Sequence, residues 1–272
     1  MLAPLLLTAT TALAAKWDLS HQLAVSWFPE GLRYAGRAEY RVPLWNKPGA
    51  LFSDTYFAPG AVLEVTPAYV RGGARLHWAP IAVFELELEG VANAYFGTFS
   101  GVTDFDAPDA DFSSEALDAA ADAGRRHAGW GAKGSATATL QARAGPVIVA
   151  FPQEFTYFHQ EIPDGATGDW WYEPQYDALM AWDDGVMINS GVLFVELRGA
   201  NGEDKRFHWV GAKADHQVVF GTQDRQIKVG PMYVGHPWNG KAAPTLVFFA
   251  QAWVASPIHP ILPPYLAAAA IW

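Results

Sequence analysis

Arg33, Arg37 and Arg41 stand four residues apart, with Glu39 on the same face of one alternating segment, while Glu85, Glu87 and Glu89 share a face of another. Residues two apart on a strand point the same way, so these are basic and acidic ladders. Lys133 and Arg143 extend a third polar face. Two chemistries suit them. Opposed ladders set a transverse field in a narrow pore, or they pair across the lumen and fill it, as side chains do in a small barrel. We favour the filling arrangement and take Arg33, Arg37, Glu39, Arg41, Glu85, Glu87, Lys133 and Arg143 as the residues lining a lumen.

Other candidates are thinner. Asp104, Asp106, Asp109 and Asp111 could offer oxygen ligands to Ca²⁺. They lack the sharp-turn glycine and the closing bidentate glutamate of a calcium loop, so a solvated acidic loop is the better expectation, with no metal site. The eight histidines are scattered at 21, 77, 127, 159, 208, 216, 236 and 259. Asn189-Ser190-Gly191 is the nearest serine-centred run, with no histidine two positions away. A triad is defined by geometry and not by spacing, so hydrolysis stays an alternative while no catalytic residue is assigned. No phosphate loop, dinucleotide fingerprint or zinc spacing occurs, and no cofactor is expected. Trp170 and Trp171, with Tyr172 and Tyr176, could stack a sugar, but an interfacial aromatic girdle fits their expected place near a strand end better.

Composition narrows the class. Charged residues are 17% of the 272, aromatics are 14%, and there are 12 Trp. That is few charges and many amphipathic rings for a water-soluble domain. Cysteine is absent, which excludes disulfides and thiol chemistry. A net charge of −10 leaves nucleic-acid binding without an electrostatic basis. Leu5-Leu6-Leu7 opens a short apolar stretch and Ala12-Leu13-Ala14 offers a small-x-small cleavage site. Residues 1–14 read as a signal peptide that departs from the usual pattern in having no basic start. No later stretch is long and apolar enough for a helical span.

The elements that must position these residues are strands. From 16 to 28, Trp17, Leu19, Leu23, Val25 and Trp27 oppose Asp18, Ser20, Gln22 and Ser26. From 33 to 45, Tyr34, Gly36, Ala38, Tyr40 and Val42 oppose the arginine ladder. Runs of about twelve residues exceed the five or six usual in a sandwich. Further strands are expected over 61–71, 75–89, 131–143, 147–159, 170–182, 186–198, 206–220, 226–235, 244–256 and 264–272, with short pieces at 50–57 and 92–99. Gly72-Gly73, Asp183-Asp184-Gly185 and Ala144-Gly145-Pro146 read as turns. The total is about 12 strands, within 10–14, in one domain over 15–272.

Residues 100–130 interrupt the pattern with seven acids and then Arg125, Arg126 and His127. Ser114 to Arg126 is Ala-rich, acidic early and basic late, and predicts a short helix in a long acidic loop. Strand directions counted from the two termini put this loop at opposite ends. A strand more or fewer within 46–100 would reconcile them.

Counting back from Trp272, Ala270, Ala268 and Leu266 alternate, with Tyr265 near the start of the stretch. This ending resembles that of bacterial outer-membrane β-barrels. The resemblance is to the general class and implies an all-β, transmembrane, antiparallel up-and-down barrel in a Gram-negative envelope. It would contact outer-membrane lipid and, if porin-like, a small solute. Trp17, Trp27, Tyr34, Tyr40, Trp170, Trp171 and Trp272 are then the membrane-interface aromatics. A narrow channel or a structural or binding barrel without catalysis is the expected role. An outer-membrane hydrolase, or a soluble exported barrel around an apolar ligand, is the alternative.

Overall fold

The computed structural model describes residues 15–27, 31–45, 49–52, 54–99, 101–199, 206–239, 243–259 and 265–272. The expected signal peptide, 1–14, lies outside them. In chain order the strands are β1 (Lys16–Trp27), β2 (Gly31–Pro43), β3 (Tyr56–Val65), β4 (Tyr69–Ile81), β5 (Phe84–Phe96), β6 (Val102–Phe105), β7 (Arg126–Ala144), β8 (Val147–Gln160), β9 (Trp170–Glu173), β10 (Ala178–Ala181), β11 (Asp183–Arg198), β12 (Phe207–Val219), β13 (Arg225–His236), β14 (Thr245–Ala255) and β15 (Tyr265–Ile271). Twelve of them form one closed antiparallel barrel, as expected. β6, β9 and β10 are not part of the ring; they form a short side sheet joined to it where β6 pairs with β7 at Val102↔His127 and Thr103↔Arg126. β1 meets β15 from Gln22↔Ile271 to Trp27↔Leu266, so no strand edge of the wall is left open.

Alternation decides which face each side chain takes. On β2, Leu32, Tyr34, Tyr40 and Val42 are exposed while Glu39 is buried and Arg33, Arg37 and Arg41 are half-buried. The same inversion runs round the ring: charged residues such as Arg71 and Lys133 are buried, and large apolar ones such as Leu19, Leu140 and Leu193 are exposed.

The strand count is right but two of its parts are not. Residues 50–99 hold three wall strands, not two with short flanking pieces. The turn falls at 66–68, where the Thr66 hydroxyl accepts from the amides of Ala68 and Tyr69 at 3.1 and 3.0 Å. Gly72-Gly73 is inside β4 and not a turn; a Cβ on Gly73 would lie 2.0 Å from the Gly90 carbonyl oxygen of β5. Residues 170–182 are not a wall strand. They form the β9–β10 hairpin, with Asp177 near its turn at φ 50. Asp183-Asp184-Gly185 begins β11 instead of turning. One strand gained and one lost reconcile the directions: the 97–125 and 161–182 segments both leave the far mouth, opposite the mouth where β1 begins.

In the first segment, helix α1 (Ser114–Asp122) starts where the Ser113 side chain accepts from Ala116 N and ends at Gly124, whose φ of 78 suits glycine. The helix is four residues shorter than 114–126. Arg125 is freed for other partners.

Candidate functional site

The lumen is the site, and it has two storeys. At the far mouth the β9–β10 hairpin turns inward and bonds to the walls around it. Arg71 of β4, fully buried, gives Glu173 a 2.7 Å hydrogen bond. Tyr95 of β5 also donates to Glu173. Gln175 accepts from Arg71 and from Lys133 of β7. The Tyr176 hydroxyl donates to Glu154 of β8 at 2.7 Å. Its carbonyl takes Gln217 of β12, and that of Asp177 takes Gln226 of β13, at 2.8 and 2.7 Å. His259 and Tyr172 close on the Asp177 carboxylate. Partners on six wall strands (β4, β5, β7, β8, β12 and β13) make the hairpin a plug across the lumen.

Above the plug, Phe105, Phe112, Leu117, Tyr172 and Leu179 form an apolar lid, so α1 covers the hairpin with its one buried side chain, Leu117. Asp104 ties the lid down. Burial raises its pKa, but hydrogen bonds outweigh that and hold the carboxyl below its ordinary range. Those bonds come from Arg125 (3.1 and 2.9 Å), His127 (2.8 Å) and the amides of Gly168 and Thr167 (2.8 and 3.3 Å). Asp106 shares Arg125, and Asp111 accepts from the Ser113 amide. The four aspartates weighed as calcium ligands are not brought to one point: Asp104 and Asp106 neutralise Arg125, and Asp111 supports a helix cap. Asp109 makes no group with them.

The lower storey, toward the near mouth, has unlike walls. On β2 to β5, Arg75 spans Glu39 (3.2 Å) and Glu87 (2.7 Å), and Arg41 reaches Asp18 (2.9 Å) and Glu39 (3.6 Å). Higher in the lumen, beside Arg71 and the plug, Arg33 meets Glu64 at 3.5 Å and Lys133 meets Glu89 at 3.6 Å. Arg143 pairs with Glu196 at the near rim. Six strands round the ring, β11 to β14 carry buried Val192, Phe194, Trp209, Met232 and Val247, joined by Ile148 and Ala150 of β8. A charged wall thus faces an apolar one. Between strands, these pairs join neighbours one or two places apart along the sheet, and not across the lumen as expected.

The aromatics divide. Trp17, Trp27, Tyr34, Tyr40 and Trp272 are exposed on the outer wall. Trp17 and Tyr40 are directly opposed in register, ring centres 5.4 Å apart. Trp171 corrects the girdle expectation: it is 0% exposed, stacked on Trp182 and donating from its indole to the Ala181 carbonyl. Trp170 packs half-buried against the lid. Both belong to the plug, where a segment buried on both faces turns inward instead of joining the wall.

Ser190 sits inside with its hydroxyl donating to Asp215, whose carboxylate also takes Lys213 and Gln251 at 2.8 Å. His216, adjacent to Asp215, points to the other face. Sequence reasoning missed Glu64, Arg71, His77, Tyr95, Glu154, Glu173, Asp177 and Asp215. Arg71 and Glu64 oppose each other in register, a signal available only once the 66–68 turn is placed.

No protein-family model, no curated protein and no solved structure matches this chain.

Proposed function

We propose that this chain is an integral barrel of the bacterial outer membrane, its lumen stoppered at the far mouth and its role passive: a gated narrow channel or a barrel that holds a small solute, without catalysis. The observation that carries this reading is the inversion of the wall. Unpaired backbone is not tolerated in lipid, and here the ring is closed. Large apolar side chains face out, and the buried charges are paired inside. Trp17 and Trp27 bracket the outer face of β1 around Leu19, Leu23 and Val25. Ten steps of about 3.3 Å, tilted by roughly 40°, give a height of about 25 Å, the apolar band of such barrels. An apolar recess of about 680 Å³ on the outer wall, lined by Val25, Val210, Phe248 and Leu266 among others, offers room for acyl chains.

The test is fractionation of cells expressing the full chain. Expected are recovery with outer membranes, resistance to urea extraction, and migration on detergent gels that shifts on heating. Recovery in a soluble fraction, folded without detergent, overturns the reading.

A further inference from the structure

One group in the lower storey brings an imidazole and two carboxylates together, with Glu39 on the imidazole's other side, 3.8 Å from His77 Nδ1. His77 of β4 and Glu87 of β5 are directly opposed in register, and Glu85 lies two residues before Glu87 on the same face. His77 Nε2 is 3.4 Å from Glu85 Oε2 and 3.9 Å from Glu87 Oε1, and the three ligand atoms all lie within 4.8 Å of one another. The other oxygen of each carboxylate is held from outside the group. Gln141 of β7 donates to Glu85 Oε1 at 2.8 Å, and Arg75 donates to Glu87 Oε2 at 2.7 Å. Two carboxylates are thereby turned so that one oxygen of each faces one imidazole nitrogen. The Tyr56 hydroxyl stands 3.1 Å from that same nitrogen.

We propose that His77, Glu85 and Glu87 are a three-ligand site for a divalent transition-metal ion, open on its fourth side to the lumen. Ligands 2.0–2.1 Å from a tetrahedral ion sit about 3.3–3.4 Å apart. The 3.4 Å separation already meets this; the 3.9 Å one, and the carboxylate-to-carboxylate one within 4.8 Å, close on the ion by rotation of the glutamate side chains. One imidazole and two carboxylates suit Zn²⁺ or Co²⁺ better than Ca²⁺ or Mg²⁺, which favour all-oxygen shells. Gln141 and Arg75 act as outer partners that fix ligand orientation. Tyr56, or a water in its place, is positioned to complete the shell. The ligand side chains retain 9%, 22% and 19% exposure, so the group stays in contact with the lumen. The site depends on the barrel alone and stands whether or not the wall faces lipid.

Co²⁺ titration of the folded full chain, read by visible absorption and followed by Zn²⁺ competition in equilibrium dialysis, tests it. Expected is one ion per chain, with d–d bands of a four-coordinate nitrogen–oxygen shell. His77→Ala and Glu85→Gln should weaken binding by 100-fold or more, and Gln141→Ala by about 10-fold. Asp106→Asn, in the lid, should leave it unchanged. Absence of stoichiometric uptake by the wild-type chain overturns the assignment, as does equal uptake by wild type and both ligand variants. Should His77→Ala lose its β-sheet circular dichroism, Glu85→Gln, which keeps the side chain's size, decides the question.

Discussion

Arg71 is the residue on which the stopper turns. It is fully buried, bonded to Glu173 and stacked 3.8 Å over the Tyr69 ring. Removing one member of a buried pair leaves an uncompensated charge and costs about 3–5 kcal/mol. Arg71→Ala should therefore loosen the hairpin without opening the wall. Hydrogen exchange of 170–182 should accelerate by two orders of magnitude or more while β1 and β2 keep their protection. Glu173→Gln keeps the shape and the Tyr95 contact and should be milder. Asp104 gives a pH prediction for the lid. Its folded pKa is depressed, so its contribution is fully present above the ordinary aspartate range of about 4. That contribution is lost as pH falls through the depressed value. Proteolysis of the 97–125 segment should rise in strong acid, and Asp104→Asn should cleave readily at neutral pH with that acid step removed.

Elements show what alternation can and cannot say. β1 and β2 were legible because each keeps an unbroken period of two beside a clear polar face. The plug was not: Trp170-Trp171-Tyr172 and Ala178-Leu179-Met180 are apolar on both faces because both faces are buried, and such short apolar runs do not say which surroundings bury them. Pro174 was the available warning, because a proline in mid-strand has no amide for a central ladder. Gly72-Gly73 misled for a related reason. Paired glycines usually mark turns, whereas here Gly73 admits the close approach of Gly90. The ladder arginines could be placed on one face from sequence. The His77–Glu87 opposition could not, since one residue of register separates neighbours from strangers. Replacing residues 169–182 by a short Gly-Ser linker should leave the twelve-strand wall intact and open the lumen. In planar bilayers the wild type should show little or no conductance and the variant long-lived steps. Equal currents from both would mean that the hairpin does not obstruct the path.

For the molecule as a whole, the question is what surrounds the wall. Leu193 lies on the outer face of β11 and is 48% exposed. In water, Leu193→Arg would change stability by no more than about 0.5 kcal/mol. Against acyl chains the same change near mid-bilayer costs about 2–4 kcal/mol. Reversible unfolding from lipid vesicles in guanidinium should show the larger penalty. A value near zero would point to an aqueous exterior and remove the support for a membrane location.

The hairpin that closes the far mouth is strung between β8 and β11, tethered at both of its ends to the same rim. Such a stopper cannot be lost, only swung aside. Its return is a unimolecular event at a local concentration fixed by the leash, indifferent to how many copies of the protein surround it. Any opening should therefore be brief and self-terminating, with closing rates that do not change on dilution.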